Sequence, residues 1–156
     1  RDDIKIVLIG DGAQKNKLKE SAKKLDLKNI FFIEVLKKNE LFELISTADL
    51  GLQILKNVPE FYNGTSPNKF FDYISLSMPV IINYPGWLSE KVLEYSCGKV
   101  IPPDNPQIFA QTLETIADNR GDIKQMKVNA KSLAINEFDW EKLSVKFCEY
   151  FEERIS

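Results

Sequence analysis

Histidine is absent from this 156-residue sequence. Without an imidazole there is no His-based metal site and no Ser-His or Cys-His triad. Cysteine is scarce: Cys97 and Cys148 make up the whole supply. Two thiols fit a reduced, cytoplasmic protein better than a disulfide framework. Cys97, beside Gly98, has no activating neighbour and reads as structural. No apolar run approaches the roughly 20 residues that span a bilayer, and no basic-then-apolar signal segment opens the chain. A basic surplus is also lacking. The net charge of −2 gives no reason to expect nucleic acid as a main partner. Internal repeats, low-complexity segments and interior linkers are absent too. The chain opens at Arg1 and runs almost at once into a strand-like stretch, so the expectation is one domain cut from a longer protein.

What is present is an ordinary globular composition. With 44% hydrophobic and 28% charged residues, a single domain of this size can bury a core without disulfides or metal. Strand-like runs fall at residues 4–9, 30–33, 50–55, 80–82 and 99–101. Between them lie amphipathic or capped segments. The spacing of Leu18, Ala22 and Leu25 predicts a helix over 16–27, and Asn39 is placed to cap one through Ala48. Further helices are expected at 88–95, at 106–119 and from Ile123 onward. Alternation of strand and helix predicts a Rossmann-like, three-layer α/β/α domain with a parallel sheet of about five strands. Such sheets bind ligands outside the carboxyl ends of their strands.

One stretch at that edge stands out: "NGTSPNKFFDYISLSMPV", residues 63–80. Ser66 can serve as N-cap and Pro67 as first helical residue, with Met78-Pro79 ending the helix. Free N–H groups and the helix dipole favour an anion there. Lys69 is the odd choice, because a cation near a helix N-terminus is disfavoured unless an anion is bound. A plain surface lysine is the competing reading. Asp72, one turn on, is either an intrahelical ion-pair partner or an acceptor for vicinal hydroxyls, as carboxylates are for ribose. Gly10-Asp11-Gly12 follows the first strand but is no full G-x-G-x-x-G motif, since position 15 is Lys. Phe61-Tyr62 and Trp87 are ring-stacking candidates, though local packing explains them as well. The lysines of Lys23-Lys24 and Lys37-Lys38 read as a solvated face.

Taken in order, "IKIVLIGDG", "NIFFIEVLKKNELFELISTADLGLQIL", "TSPNKFFDYISLSMPV", "GKVIPPDNP" and "FDW" resemble the carboxyl-terminal domain of family-4, group 1 glycosyltransferases, retaining enzymes of the GT-B fold. The resemblance covers nearly the whole chain, and the Ser-Pro-x-Lys variant is similar to that of bacterial enzymes building capsular or lipopolysaccharide sugars. It implies a nucleotide-sugar donor, with UDP the expected nucleotide and no further cofactor or metal. The ribose-binding acid falls on Asp72. Diphosphate contacts fall on Pro67, Asn68 and Lys69, flanked by Thr65 and Ser66, with Lys69 the one side chain placed to assist catalysis. The base would lie near Glu34, Val35 and Leu36, and Gly10 and Gly12 would leave room beside the nucleotide.

The pattern departs at Gly64, which stands where the family commonly has a first acid, with Glu60 and Asn63 as candidate replacements. Glu34 replaces a usual glycine. Ser77 replaces the glycine that usually ends the helix, a change of little cost if Ser77 avoids a left-handed conformation. The family's first strand-helix unit, with its basic pair, is not found in this chain. Without that strand, "IKIVLI" and "LGLQIL" are expected to pair directly or to take a strand from another chain. A saccharide or lipid-linked acceptor would be held by an amino-terminal domain. That arrangement leaves room for a full-length protein peripheral to a membrane. Two rival readings are a GT-B nucleotide-sugar epimerase, for which the acid and base side chains are not evident, and a non-catalytic nucleotide-binding domain.

Overall fold

A computed structural model describes residues 1–155. In chain order the elements are β1 (Ile6–Ile9), α1 (Lys15–Lys24), β2 (Ile30–Ile33), α2 (Lys38–Ser46), β3 (Gly51–Gln53), a single 3-10 turn (Pro59–Phe61), α3 (Asn68–Ser75), β4 (Val80–Ile82), α4 (Trp87–Glu94), β5 (Gly98–Val100), α5 (Pro106–Asp118), α6 (Arg120–Glu137) and α7 (Trp140–Ile155). Every paired strand runs parallel to its neighbour. This is the expected α/β alternation of five short strands.

Val80-Ile81-Ile82 shows why the fold is layered. All three residues are buried, and successive side chains of a strand point to opposite faces. Val80 and Ile82 join Phe70 and Ile74 of α3, Leu88 and Val92 of α4 and Leu133 of α6 in one cluster. Ile81 joins Ile101, Ile116, Ile123 and Met126 on the other face. A strand apolar on both faces is what helices on both sides of a parallel sheet require. Gly51 sets the seat of α3, because a Cβ there would lie 2.4 Å from the Tyr73 ring.

The strands do not form one sheet. β2 pairs with β1, and β3 pairs with β4 and β5, but β1 and β3 are not joined. Direct pairing of "IKIVLI" with "LGLQIL" is therefore not what the chain does. A cleft of about 890 Å³ lies between them, lined by Ile6 and Leu8 of β1, by Leu50 and Leu52 beside or in β3, and by Leu44 and Ile116 from helices. The consequence for packing is large. No residue from 1 to 50 is buried, Val7 is 45% exposed, and among the described residues the buried core runs only from Gly51 to Leu133. Polar ties bridge the two halves instead: Arg1 to Asp118 at 2.6 Å, Arg120 to Asp3 at 3.5 Å and Lys127 to Asp49 at 3.9 Å.

Two helix starts differ from the sequence expectation. α2 begins at Lys38 rather than behind an Asn39 cap. There the Glu40 carboxylate accepts the Lys37 N–H at 3.0 Å, and the Leu41 N–H already donates to the Lys37 carbonyl at 2.8 Å. In α3 the N-cap is Pro67 and not Ser66. Extended backbone at Pro67 (φ −78°, ψ 131°) moves the helix start one residue on and leaves the cap without a side-chain acceptor.

Candidate donor-binding site

The turn after β1 and the first two turns of α3 both line the cleft. After β1 the chain turns through Gly10, whose φ of 130° favours glycine. The Gly10 N–H donates to the Ile33 carbonyl at 3.2 Å, and the Lys15 N–H closes the turn onto the Gly12 carbonyl at 2.8 Å. Lys15 is the first residue of α1. Its side chain is 10% exposed, with Nζ 2.6 Å from a Glu34 carboxylate oxygen and 3.4 Å from the Ile33 carbonyl. The Lys15 ammonium holds the Glu34 carboxyl below the ordinary carboxylate value, with a smaller contribution from Lys19.

On the opposite wall, residues 54–67 lead from β3 to α3, and Asn83 fixes the first part of this loop. Its side-chain oxygen accepts the Leu55 N–H at 2.8 Å, and its amide nitrogen donates to the Leu55 carbonyl at 2.8 Å. The side chain thus stands in for one more residue of β4. Farther along, Asn57 donates to Asp104 at 2.9 Å, the Tyr62 hydroxyl donates to Asn57 and the Thr65 hydroxyl donates to the Phe61 carbonyl.

This loop delivers Lys69 and Asp72 to the cleft. Both are half-buried and line it. Among the described residues neither side chain has a hydrogen-bond or salt-bridge partner, so the intrahelical ion pair is not formed. The Asn68 and Lys69 N–H groups, at the open start of α3, likewise have no acceptor; the Phe70 N–H takes the Pro67 carbonyl at 3.0 Å. Burial pushes the Lys69 ammonium pKa below the ordinary 10.5.

Of the residues singled out from sequence, Gly10, Gly12, Lys69 and Asp72 therefore line one cleft, together with Asp11 and Lys15. Glu34 and Val35 are exposed and Leu36 is half-buried just beyond β2, outside the lining. Gly64, Ser66 and Asn68 are exposed, and Thr65 and Pro67 half-buried, also outside it. Glu60 and Asn63 are exposed and do not line the cleft. Cys97 is buried, and desolvation pushes its thiol up to about 11, which suits an inert thiol. Trp87 packs locally, 6.5 Å from Phe71 and 6.1 Å from Phe138 between ring centroids. Among the described residues no helix is long and apolar enough to cross a membrane.

A parallel α/β domain with an unpaired lysine and a carboxylate on the first two turns of one helix, facing a glycine turn across a cleft, invites comparison with nucleotide-binding proteins. Residues 1–133 match the family "Glycosyl transferases group 1". The chain belongs to that family.

Among solved structures, this group 1 glycosyltransferase chain is similar to Alr3699/HepE of Anabaena in complex with UDP-glucose. That likeness has 19% identity and a TM-score of 0.77, and covers 96% of this chain and 41% of that one. The same protein in complex with UDP gives 18% identity, TM-score 0.78 and the same coverages. The sucrose-phosphate synthase (tll1590) of Thermosynechococcus elongatus gives 17% identity, TM-score 0.76, 96% of this chain and 38% of that one. These likenesses show the fold, that of the Rossmann-like domain of GT-B glycosyltransferases. The chain spans about two fifths of the length of these structures. No protein of curated function matches the chain in sequence.

Sequence reasoning passed over two residues of the site in this glycosyltransferase chain. Asn83, directly after a strand, carried no local signal, because its partner Leu55 is 28 positions away. Lys15 was visible only as the residue that spoils a glycine motif. Its burial against Ile33 and Glu34 needs β1 and β2 side by side.

Proposed function

We propose that residues 1–156 are the carboxyl-terminal, donor-binding domain of a longer, retaining, family-4 glycosyltransferase. The proposed donor is a UDP-sugar and the acceptor a saccharide or lipid-linked sugar of bacterial surface polysaccharide synthesis. The observation that carries this reading is the unpaired, half-buried Lys69 at the start of α3, facing Gly10 and Gly12 in one cleft. In this reading the diphosphate lies against the Asn68 and Lys69 N–H groups and the Lys69 ammonium, while Asp72 accepts from the ribose hydroxyls. Pro67, Thr65, Ser66 and Gly64 shape the approach. The base sits near Glu34, Val35 and Leu36.

During transfer the bond from the anomeric carbon to the diphosphate oxygen breaks, and the diphosphate leaves with the electron pair. The acceptor oxygen bonds to the anomeric carbon and passes its proton to the departing diphosphate oxygen. Lys69 and the helix N–H groups stabilise the departing anion where charge develops. The acceptor and the closing half-site are assigned to the remainder of the parent chain. That remainder also supplies the strand between β1 and β3: in the doubly wound order 3-2-1-4-5-6, β2 and β1 take the first two places and β3 to β5 the last three.

The test is ligand choice. UDP is expected to protect the protein against thermal unfolding and uridine to do so much less, since the diphosphate contacts are charge-assisted. Lys69→Ala should weaken UDP more than uridine, and Asp72→Asn should weaken both. Equal loss of both ligands on Lys69→Ala would place the phosphates elsewhere. Residues 1–156 alone are expected to release no UDP from UDP-sugars at rates near those of the parent enzyme, since positioning reactants between two half-sites can be worth about 7–11 kcal/mol.

A further inference from the structure

Two helices open onto the cleft with a lysine in the first turn and no acid there: α1 with Lys15 and α3 with Lys69. By contrast α2, α4, α6 and α7 each carry an acid in the first turn, the arrangement the helix dipole favours. Lys15 stands on the β1–β2 wall and Lys69 on the β3–β5 wall. Burying a lysine at a positive helix end is unfavourable twice over, by desolvation and by the dipole. At Lys15 the cost is met by Glu34, a side chain 74% exposed and shared with Lys19, which lies 3.6 Å from its other oxygen. An exposed carboxylate on a loop beyond β2 is a counterion that can be displaced.

We infer that Lys15 is a second phosphate-binding residue, reaching a nucleoside diphosphate from the wall opposite Lys69, and that Glu34 is its place-holding counterion. This rests on the nucleotide-binding reading above and adds a residue and an exchange to it. The diphosphate, carrying more charge than one carboxylate, draws the Lys15 ammonium away from Glu34. Glu34 keeps Lys19 as a partner.

The two variants Lys15→Ala and Glu34→Gln separate this from a merely structural latch, because the proposal gives them opposite signs. With calorimetry on the full-length natural protein, Lys15→Ala should weaken UDP by about tenfold, the worth of one charge-assisted hydrogen bond. Uridine binding should stay unchanged, which also shows that the variant is folded. Glu34→Gln should tighten UDP by about threefold or more, as Lys15 loses its competing partner. If both variants weaken UDP and uridine alike, the pair is a structural latch and the proposal is overturned. If Lys15→Ala loses uridine as much as UDP, Lys15 reads the nucleoside and the proposal is equally overturned. If the wild type binds no UDP at all, it is the nucleotide-binding reading that fails.

Discussion

Lys69 places an amine where burial and the helix dipole both disfavour its charge. In the proposed reading that conflict is resolved by a bound diphosphate. Two outcomes are expected at this scale. Lys69→Met should raise the stability of the ligand-free protein by about 0.3–1 kcal/mol, the usual size of a dipole conflict, while lowering UDP affinity; urea unfolding with and without UDP checks both. The second is pH dependence. Burial lowers the Lys69 pKa in the free protein, whereas a bound diphosphate favours the charged form and raises it. UDP binding therefore takes up a proton once pH rises past the free-state value, and affinity falls as pH rises. The fall should begin below the ordinary lysine value of 10.5 and vanish in Lys69→Met. A decline that persists unchanged in the variant would assign the titration to another group.

The helix ends show how elements are held. α3 ends with the Ser77 N–H on the Ile74 carbonyl at 2.9 Å and the Met78 N–H on the Tyr73 carbonyl at 2.9 Å, a Schellman closure. α4 ends likewise, with Ser96 to Leu93 at 3.0 Å and Cys97 to Val92 at 3.1 Å. This closure needs a left-handed residue, and Ser77 (φ 57°) and Ser96 (φ 51°) supply it. Ser77 does not avoid the left-handed conformation, so the condition for a cheap replacement of glycine is not met: two hydrogen bonds and the following Pro79 hold the serine where glycine would be at ease. The left-handed conformation costs an L-residue about 1–2 kcal/mol, and glycine gives back about 0.5–1 kcal/mol in unfolded-state entropy. Ser77→Gly and Ser96→Gly should each stabilise by about 0.5–1 kcal/mol, seen as a higher urea midpoint with unchanged slope. A loss of stability from both changes would contradict this account of the helix ends.

At the scale of the molecule the cleft divides the chain into unequal halves. Among the described residues, 51–133 hold all the buried side chains and 1–50 hold none. Unpaired edges of β1 and β3 and a partly exposed apolar lining make the first half the weaker unit. In residues 1–156 alone, urea unfolding should be non-coincident by two probes. Both tryptophans, Trp87 and Trp140, lie in the second half, so fluorescence should report a later transition than far-ultraviolet circular dichroism, which sees both halves. Superimposable curves would show that the halves unfold as one. In a longer natural chain that fills the cleft, the Ile6–Ile9 amides should gain hydrogen-exchange protection and the two curves should converge.

The sequence by itself determined the elements and the residues with chemical promise. Patterns such as Val80-Ile81-Ile82 or the Leu18, Ala22 and Leu25 spacing are local, and a two-sided apolar strand or an amphipathic helix follows from them wherever the chain goes. Gly10, Gly12, Lys69 and Asp72 were legible for the same reason, each marked by its position at a strand end or a helix start. Tertiary structure decided what depends on distant partners. Whether β1 meets β3 depends on pairing between strands more than 40 positions apart, which no local pattern encodes. The caps shifted from Asn39 to Lys37, whose carbonyl takes the Leu41 N–H, and from Ser66 to Pro67, whose extended backbone moves the helix start one residue on. The clamp of Asn83 on Leu55, and the pairing of Lys15 with Glu34, exist only once parallel strands bring their carboxyl ends together. Side-chain hydrogen bonds act over a few ångströms in space, and no sequence spacing encodes that proximity.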